Sequence, residues 1–237
     1  MLLYYIRHAD PIYEPDSLTP LGERQAEALS RRLARFGLDE LYSSDSVRAQ
    51  RTARPTAELL KKEVTLLPWA NEALVWPETT LPGNSGNAFW LFGLPEHRRL
   101  LVSPQMQALG DRWYTHPAFA GTPVAGGLAR IRRESDAFFR SLGYEHDREA
   151  HTYRALAHND RRIALFAHQG FGIAFLSCLL DIPYPQFAAH FDIGHSGMTV
   201  VYFAPDGEDT PRIFQLSNDS HIYADGLPTD YQGWIRI

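Results

Sequence analysis

The chain has 237 residues, 44% hydrophobic and 22% charged, which excludes an intrinsically disordered protein and allows a core without disulfides or a structural metal. Its formal net charge of −5 excludes a globally basic surface, so nucleic acid is not an expected partner, although a local cluster of positive charge could still hold an anion. The single cysteine, Cys178, lies in the apolar run Phe175–Leu180 and reads as a buried structural thiol.

The first run, Met1-Leu-Leu-Tyr-Tyr-Ile6, is too short for a signal sequence and is stopped by Arg7. No apolar stretch reaches membrane-spanning length, so a soluble, cytoplasmic protein with no membrane association is expected. Leu2 to Ile6 predicts a buried parallel strand that ends abruptly at Arg7-His8. A helix follows over 20–36, with Thr19 as N-cap, Pro20 at its first position and Gly37 as its stop. A short strand is predicted over 40–42, a helix from Ser46 to about Lys61 with a bend at Pro55, and a strand over 64–67. From Trp69 to about Gly127 the periodicity dissolves among tryptophans, prolines and glycines. So long a structureless loop is improbable, and this segment is expected to be a cap or lid insertion with short helices of its own. A helix over 130–142, a buried strand over 161–167, an apolar helix over 170–180 and late strands over 198–203 and 212–216 complete the chain. Strands alternating with helices indicate an α/β fold with a largely parallel sheet, read as one domain over 1–237.

In such sheets, ligands bind outside the carboxyl ends of the strands. Two predicted strands end in a histidine just before a turn: Ile6-Arg7-His8-Ala9 and Phe166-Ala167-His168-Gln169-Gly170. If those strands are neighbours, the two imidazoles face each other across one crevice, with Arg7 beside them.

These residues carry a family resemblance. Arg7-His8-Ala9 resembles the Arg-His-Gly signature of the histidine phosphatase (phosphoglycerate-mutase-like) superfamily. Leu18-Thr19-Pro-Leu-Gly22-Glu-Arg-Gln25-Ala26 is similar to that family's first helix start, and Ser43-Ser44-Asp-Ser-Val-Arg48-Ala49-Gln-Arg-Thr52-Ala53 to its second. Asn71-Glu72 falls where the family places an acidic residue, and His168 where it places a second histidine. Asn218-Asp219-Ser220-His221 is similar to a closing motif of the phosphatase branch. The matches run in the family's order through nearly the whole chain outside the insertion.

The resemblance implies a three-layer α/β/α fold with a helical cap and a phosphomonoesterase that works through a phosphohistidine. In that reading Arg7, His8, Arg48, His168 and Gln169 bind the phosphoryl group, and His8 is the nucleophile. His168, if protonated, adds charge, while Glu72 gives the leaving group its proton, with Glu78 next in line. Apolar neighbours such as Trp69, Leu74 and Trp76 are expected to favour a protonated Glu72. The expected partner is a small phosphorylated substrate; no cofactor and no metal are expected, because arginines and histidines supply the charge. A phosphoglycerate-type mutase and a catalytically silent phosphate-binding protein are the alternatives. Ala9, Asp10-Pro11, Arg51 and Gln169 depart from the family pattern without removing a reacting group. Arg98-Arg99 and Arg130-Ile-Arg132-Arg133 read as solvated faces, and His190 and His195 around Asp192 do not make a metal site without a fourth ligand.

Overall fold

In the computed structural model, which describes residues 1–82, 86–231 and 235–236, the first strand, β1 (Leu2–Arg7), lies in the middle of a six-stranded sheet. The other strands are β2 (Glu40–Ser43), β3 (Val64–Leu66), β4 (Arg162–Ala167), β5 (Met198–Tyr202) and β6 (Arg212–Asn218). Their order across the sheet is β6-β5-β1-β4-β2-β3. β1, β4, β2 and β3 are parallel, and β5 and β6 add an antiparallel edge.

Both faces of the central strands are covered, which is why they read as continuous apolar runs rather than alternating ones. Leu3 and Tyr5 of β1, with Ile163 and Leu165 of β4, join the core on one face; Ile6, Ala164 and Phe166 join the core on the other. The second face is covered by α1 (Pro20–Ala34) and α2 (Val47–Leu60), through Leu29, Leu33 and Ala53. The first is covered by α6 (Val124–Ser141) and α7 (Gln169–Leu179), through Phe138, Phe139, Phe171 and Phe175. The layered α/β architecture with a largely parallel sheet is therefore that expected from the sequence.

Local chemistry sets the helix boundaries. Thr19 accepts a hydrogen bond from the Gly22 amide at 3.0 Å, and Ser46 caps α2 by accepting from Ala49 at 3.3 Å. α2 stops at Lys61, which takes a left-handed conformation at φ 55°.

Between β3 and α6 the chain makes short helices, α3 (Glu72–Val75), α4 (Pro95–Leu101) and α5 (Pro104–Leu109), and a hairpin of Thr80–Pro82 with Ala88–Trp90. Residues 83–85 of the expected 69–127 cap lie outside the described residues. Leu91, Phe92, Leu101, Met106, Trp113 and Phe119 from this stretch enter the same apolar core as α7. α6 begins at Val124, not at the expected Arg130; Gly126 and Gly127 hide its first turn in the sequence. A side chain at Gly127 would put its Cβ 2.4 Å from that of Glu78. The hairpin Tyr144–Asp147 with Thr152–Ala155, and helix α8 (Tyr184–His190), have no counterpart in the sequence reading. Both are too short for periodicity to mark them.

Candidate active site

The four parallel strands deliver one group of residues at their carboxyl ends. β1 and β4 are adjacent and in register, Arg7 beside Ala167, so the next residue on each is a histidine. The imidazoles of His8 and His168 are 5.3 Å apart between ring centres. β2 leads through Ser44 and Ser46 to Arg48 in the first turn of α2, and β3 leads to Glu72 at the start of α3. The chain enters β4 between β1 and β2, then crosses to the far side of β1 as β5. That reversal is the topological position at which open α/β sheets bind ligands.

His8 is buried, with 1% of its surface exposed. Its Nδ1 lies 2.8 Å from the Ala9 carbonyl oxygen, an acceptor only, so Nδ1 carries the proton and donates it there. Nε2 then has its lone pair free, and it is buried without a hydrogen-bond partner among the described residues. Burial first, then the charges of Arg7 and His168, holds the His8 pKa well below the usual imidazole value. The ring is neutral at pH 7.

His168 has no exposed surface. Arg48 donates from Nη2 to its Nδ1 at 3.1 Å, which leaves the proton on Nε2, 2.9 Å from the Ser44 hydroxyl. The Tyr5 hydroxyl accepts from the His168 amide at 3.2 Å and donates to its carbonyl, fixing the backbone. Burial, then Arg48 and Arg7, depress the His168 pKa well below its usual value. The protonated imidazole considered from the sequence is therefore not the resting form; two guanidinium groups nearby disfavour a third positive charge.

Arg7 donates to the Ile193 carbonyl at 2.7 Å, and its Nη2 lies 2.7 Å from His195 Nε2. Arg48 is held by Asp16 at 3.0 Å and reaches Glu72 at 3.4 Å. The Nε atoms of both arginines are buried and unpartnered among the described residues. Glu72 accepts from the Gly170 amide at 2.9 Å and lies 3.8 Å from His168 Nδ1. Glu78 is elsewhere, paired with Arg130 in a two-point contact. Gln169, expected at the phosphoryl group, donates its amide to Asp192.

Two indoles of the segment between β3 and α6 pack beside Gly170. Trp90 lies against Gly170, where a Cβ would come within 2.5 Å of the ring, and Trp76 packs edge-on to Trp90 at 4.6 Å. Trp69 instead packs among Phe138, Phe171 and Phe175, and Leu74 is largely exposed.

Sequence reasoning missed His195. Its ring is 5.6 Å from that of His8, and burial with the Arg7 charge lowers its pKa to about 3. Only the sheet order could have found it: β5 runs beside β1, so the loop before β5 meets the end of β1. The support shell was also hidden: Thr52 accepts from the Ala9 amide at 3.0 Å, and Gln25 from the Asp10 amide at 2.8 Å.

Ligand atoms of His8, Glu72 and His168 lie within 4.8 Å of one another, the spacing of a loose metal site. Arg7 and Arg48 flank all three, so the local field favours an anion over a cation. Two inward guanidinium groups, unpartnered donors and one free imidazole lone pair can together hold and attack a tetrahedral oxyanion.

Comparison with known proteins bears on the fold and on the first third of the chain. Residues 4–75 match the family model described as the histidine phosphatase superfamily (branch 1). No curated protein sequence matches the chain. Phosphoserine phosphatase from Entamoeba histolytica, solved with 3-phosphoglyceric acid, is 19% identical, covering 93% of this chain and 98% of its own, with a TM-score of 0.58. Mycobacterial glucosyl-3-phosphoglycerate phosphatase is 20% identical, covering 91% and 98%, with a TM-score of 0.57. Alpha-ribazole phosphatase from Shigella flexneri is 18% identical, covering 92% and 97%, with a TM-score of 0.57. At such identities the likeness speaks to the fold. Among the described residues no helix is long and apolar enough to cross a membrane. The first third of the chain is thus similar to the histidine phosphatase superfamily, and nearly the whole chain shares the fold of these solved phosphatases.

Proposed function

We propose that this protein is a phosphomonoester hydrolase that works through a phosphohistidine on His8. The observation that carries the reading is the set of buried atoms without partners: Nε of Arg7, Nε of Arg48 and Nε2 of His8. Two donors and one nucleophilic lone pair around one small space cost stability unless a ligand satisfies them. A phosphomonoester dianion does so, its oxygens accepting from the arginines while its phosphorus faces His8 Nε2.

In the first step Nε2 of His8 attacks phosphorus in line and the ester P–O bond breaks. The leaving alkoxide takes a proton from the Glu72 carboxyl group. In the second step water attacks the phosphohistidine, Glu72 takes a proton from that water, and inorganic phosphate leaves with His8 restored. His168 enters neutral; arrival of the dianion offsets the arginine charges and makes its protonation easier. Gln169 orients the helix start through Asp192 and contributes to the phosphate pocket. The 69–127 segment acts as the cap, its Trp76 and Trp90 excluding water from the leaving-group side.

The phosphatase class is supported by the family model and by the names of the solved proteins with this fold. The natural ester is a small phosphorylated molecule. Hydrolysis is favoured over isomerisation because Ala73-Leu-Val-Trp76, which follows Glu72, offers no cation to a substrate carboxylate. The test is to supply 3-phosphoglycerate with a catalytic amount of the bisphosphate, and p-nitrophenyl phosphate separately. Release of nitrophenol with no formation of 2-phosphoglycerate is expected. Rapid isomerisation with little free phosphate identifies a mutase, and no turnover of either compound identifies a silent binding protein.

A further inference from the structure

A second concentration of charge lies at the other end of α7. With a helix rise of 1.5 Å per residue, Cys178 is roughly 14 Å along the axis from Gln169. There α6, α7 and the turn Gly110–Thr115 border a cleft of about 680 Å³, within the range of small-molecule sites.

α6 presents Ala125, Leu128, Ala129, Arg132 and Arg133 to this cleft. Their spacing is that of the stripe a helix normally buries against a core. Ala125 and Ala129 leave room along the stripe, Arg132 and Arg133 stand at its C-terminal end, and Arg112 on the turn also lines the cleft. Among the described residues, the guanidinium groups of Arg112, Arg132 and Arg133 have no hydrogen-bond or ion-pair partner. One unpaired acid, Asp111, also lines the cleft.

The floor differs from the rim. Arg148 donates to Asp136 at 2.7 Å and to Asp181 at 2.6 Å, and His146 bridges the same two carboxylates at 3.0 and 2.8 Å. That network is balanced and leaves the uncompensated charge to the three rim arginines. One side is apolar: Tyr114, Leu128 and Ile182 line it, and the buried Trp113 and Tyr184 stack on each other at 5.6 Å and 17°.

We propose that this cleft is a second binding site, for a small anion that carries an apolar ring. The ring lies against the apolar side formed by Tyr114, Leu128 and Ile182, and the anionic group is held by Arg112, Arg132 and Arg133. The proposal does not rest on the reading of the His8 pocket.

The experiment uses the full chain and naphthalene-1-sulfonate, an aromatic anion that no phosphatase can hydrolyse. Binding is followed by calorimetry and by quenching of tryptophan fluorescence, in the wild type and in His8→Ala. One equivalent is expected to bind with the same affinity to both. The pair Arg132→Glu and Arg133→Glu should weaken it at least tenfold without changing p-nitrophenyl phosphate turnover, and Arg140→Glu on the same helix should leave it unchanged. If the double variant does not fold, as judged by circular dichroism, Arg112→Ala is read in its place with the same expected direction. No binding at millimolar ligand, binding lost in His8→Ala, or equal binding by all the arginine variants would overturn the proposal.

Discussion

His8 donates from Nδ1 to the carbonyl oxygen of Ala9, the next residue, at 2.8 Å. A strand that ends there thus fixes the ring's tautomer with its own backbone. In the proposed mechanism a neutral carbonyl does this without adding charge beside an anionic substrate.

The cost of such a site is acid sensitivity. His8 and His168 are held well below the usual 6.5 by burial and by the neighbouring arginines, and burial takes His195 to about 3 and His221 to about 4. In the unfolded chain all four titrate near 6.5. Below that pH the unfolded state binds protons that the native state refuses, so their stability is full above about pH 6.5 and is lost as pH falls. Each contributes up to about 1.4 kcal/mol per pH unit in that window. His146 opposes them: burial pulls its pKa down, but Asp136 and Asp181 outweigh this and raise it. Urea midpoints should therefore drop between pH 7 and pH 5. A flat or rising midpoint across that range would contradict the buried, neutral histidines.

Glu72→Gln tests the proton donor. Alkyl phosphates, whose leaving groups need a proton, should slow by about 10²–10⁴-fold, the usual worth of a general acid. Nitrophenyl phosphate, whose leaving group hardly needs one, should slow far less. Equal losses on the two substrates would move the role to another residue. Glu78→Gln should leave both rates unchanged, because Glu78 is occupied by Arg130.

Asp16→Ala should loosen Arg48 without unfolding the protein. Asp16 accepts from Arg48 Nη1 at 3.0 Å and from the Val47 amide at 2.8 Å, and its side chain is partly exposed. An increase in KM for a phosphomonoester of about tenfold is expected, as for loss of one anchor of a bidentate clamp. An unchanged KM would show that Glu72 and His168 alone hold Arg48 in place.

Two glycine substitutions should have opposite signs. At Gly22 a Cβ would stand 2.2 Å from the backbone oxygen of Asp10, so Gly22→Ala should destabilise by about 1–3 kcal/mol. At Gly126 in α6 nothing lies within 4 Å, and Gly126→Ala should stabilise by about 0.5–1 kcal/mol. Thermal melts of the two proteins check both. The same sign in both would contradict the packing described.

Much of this architecture was legible in the chain because the relevant signals are local. Leu2–Arg7 and Arg162–Ala167 are buried on both faces and show as unbroken apolar runs, and Thr19-Pro20 and Ser46 announce their helices. His8 and His168 each follow such a strand, so finding the strand found the residue, while Arg48 was indicated by the resemblance of residues 43–53 to the family's second helix start. What was not legible depends on contacts between distant segments. His195 reaches the site only because β5 pairs with β1, and the partner of the Gln169 amide, Asp192, lies 23 residues further along the chain. Trp69 faces the core rather than Glu72 for the same reason: α6 and α7 supply three phenylalanines to receive it.

The central claim is that the free lone pair of His8 Nε2 becomes covalently bonded to phosphorus. The protein is mixed with a ³²P-labelled phosphomonoester, quenched in base within the first turnover, and the label is followed through acid and alkali. Label is expected on the wild-type chain, where it survives alkali and is released by acid, and none is expected on His8→Ala. Label retained undiminished in His8→Ala, or bound through a bond stable to acid, would contradict it.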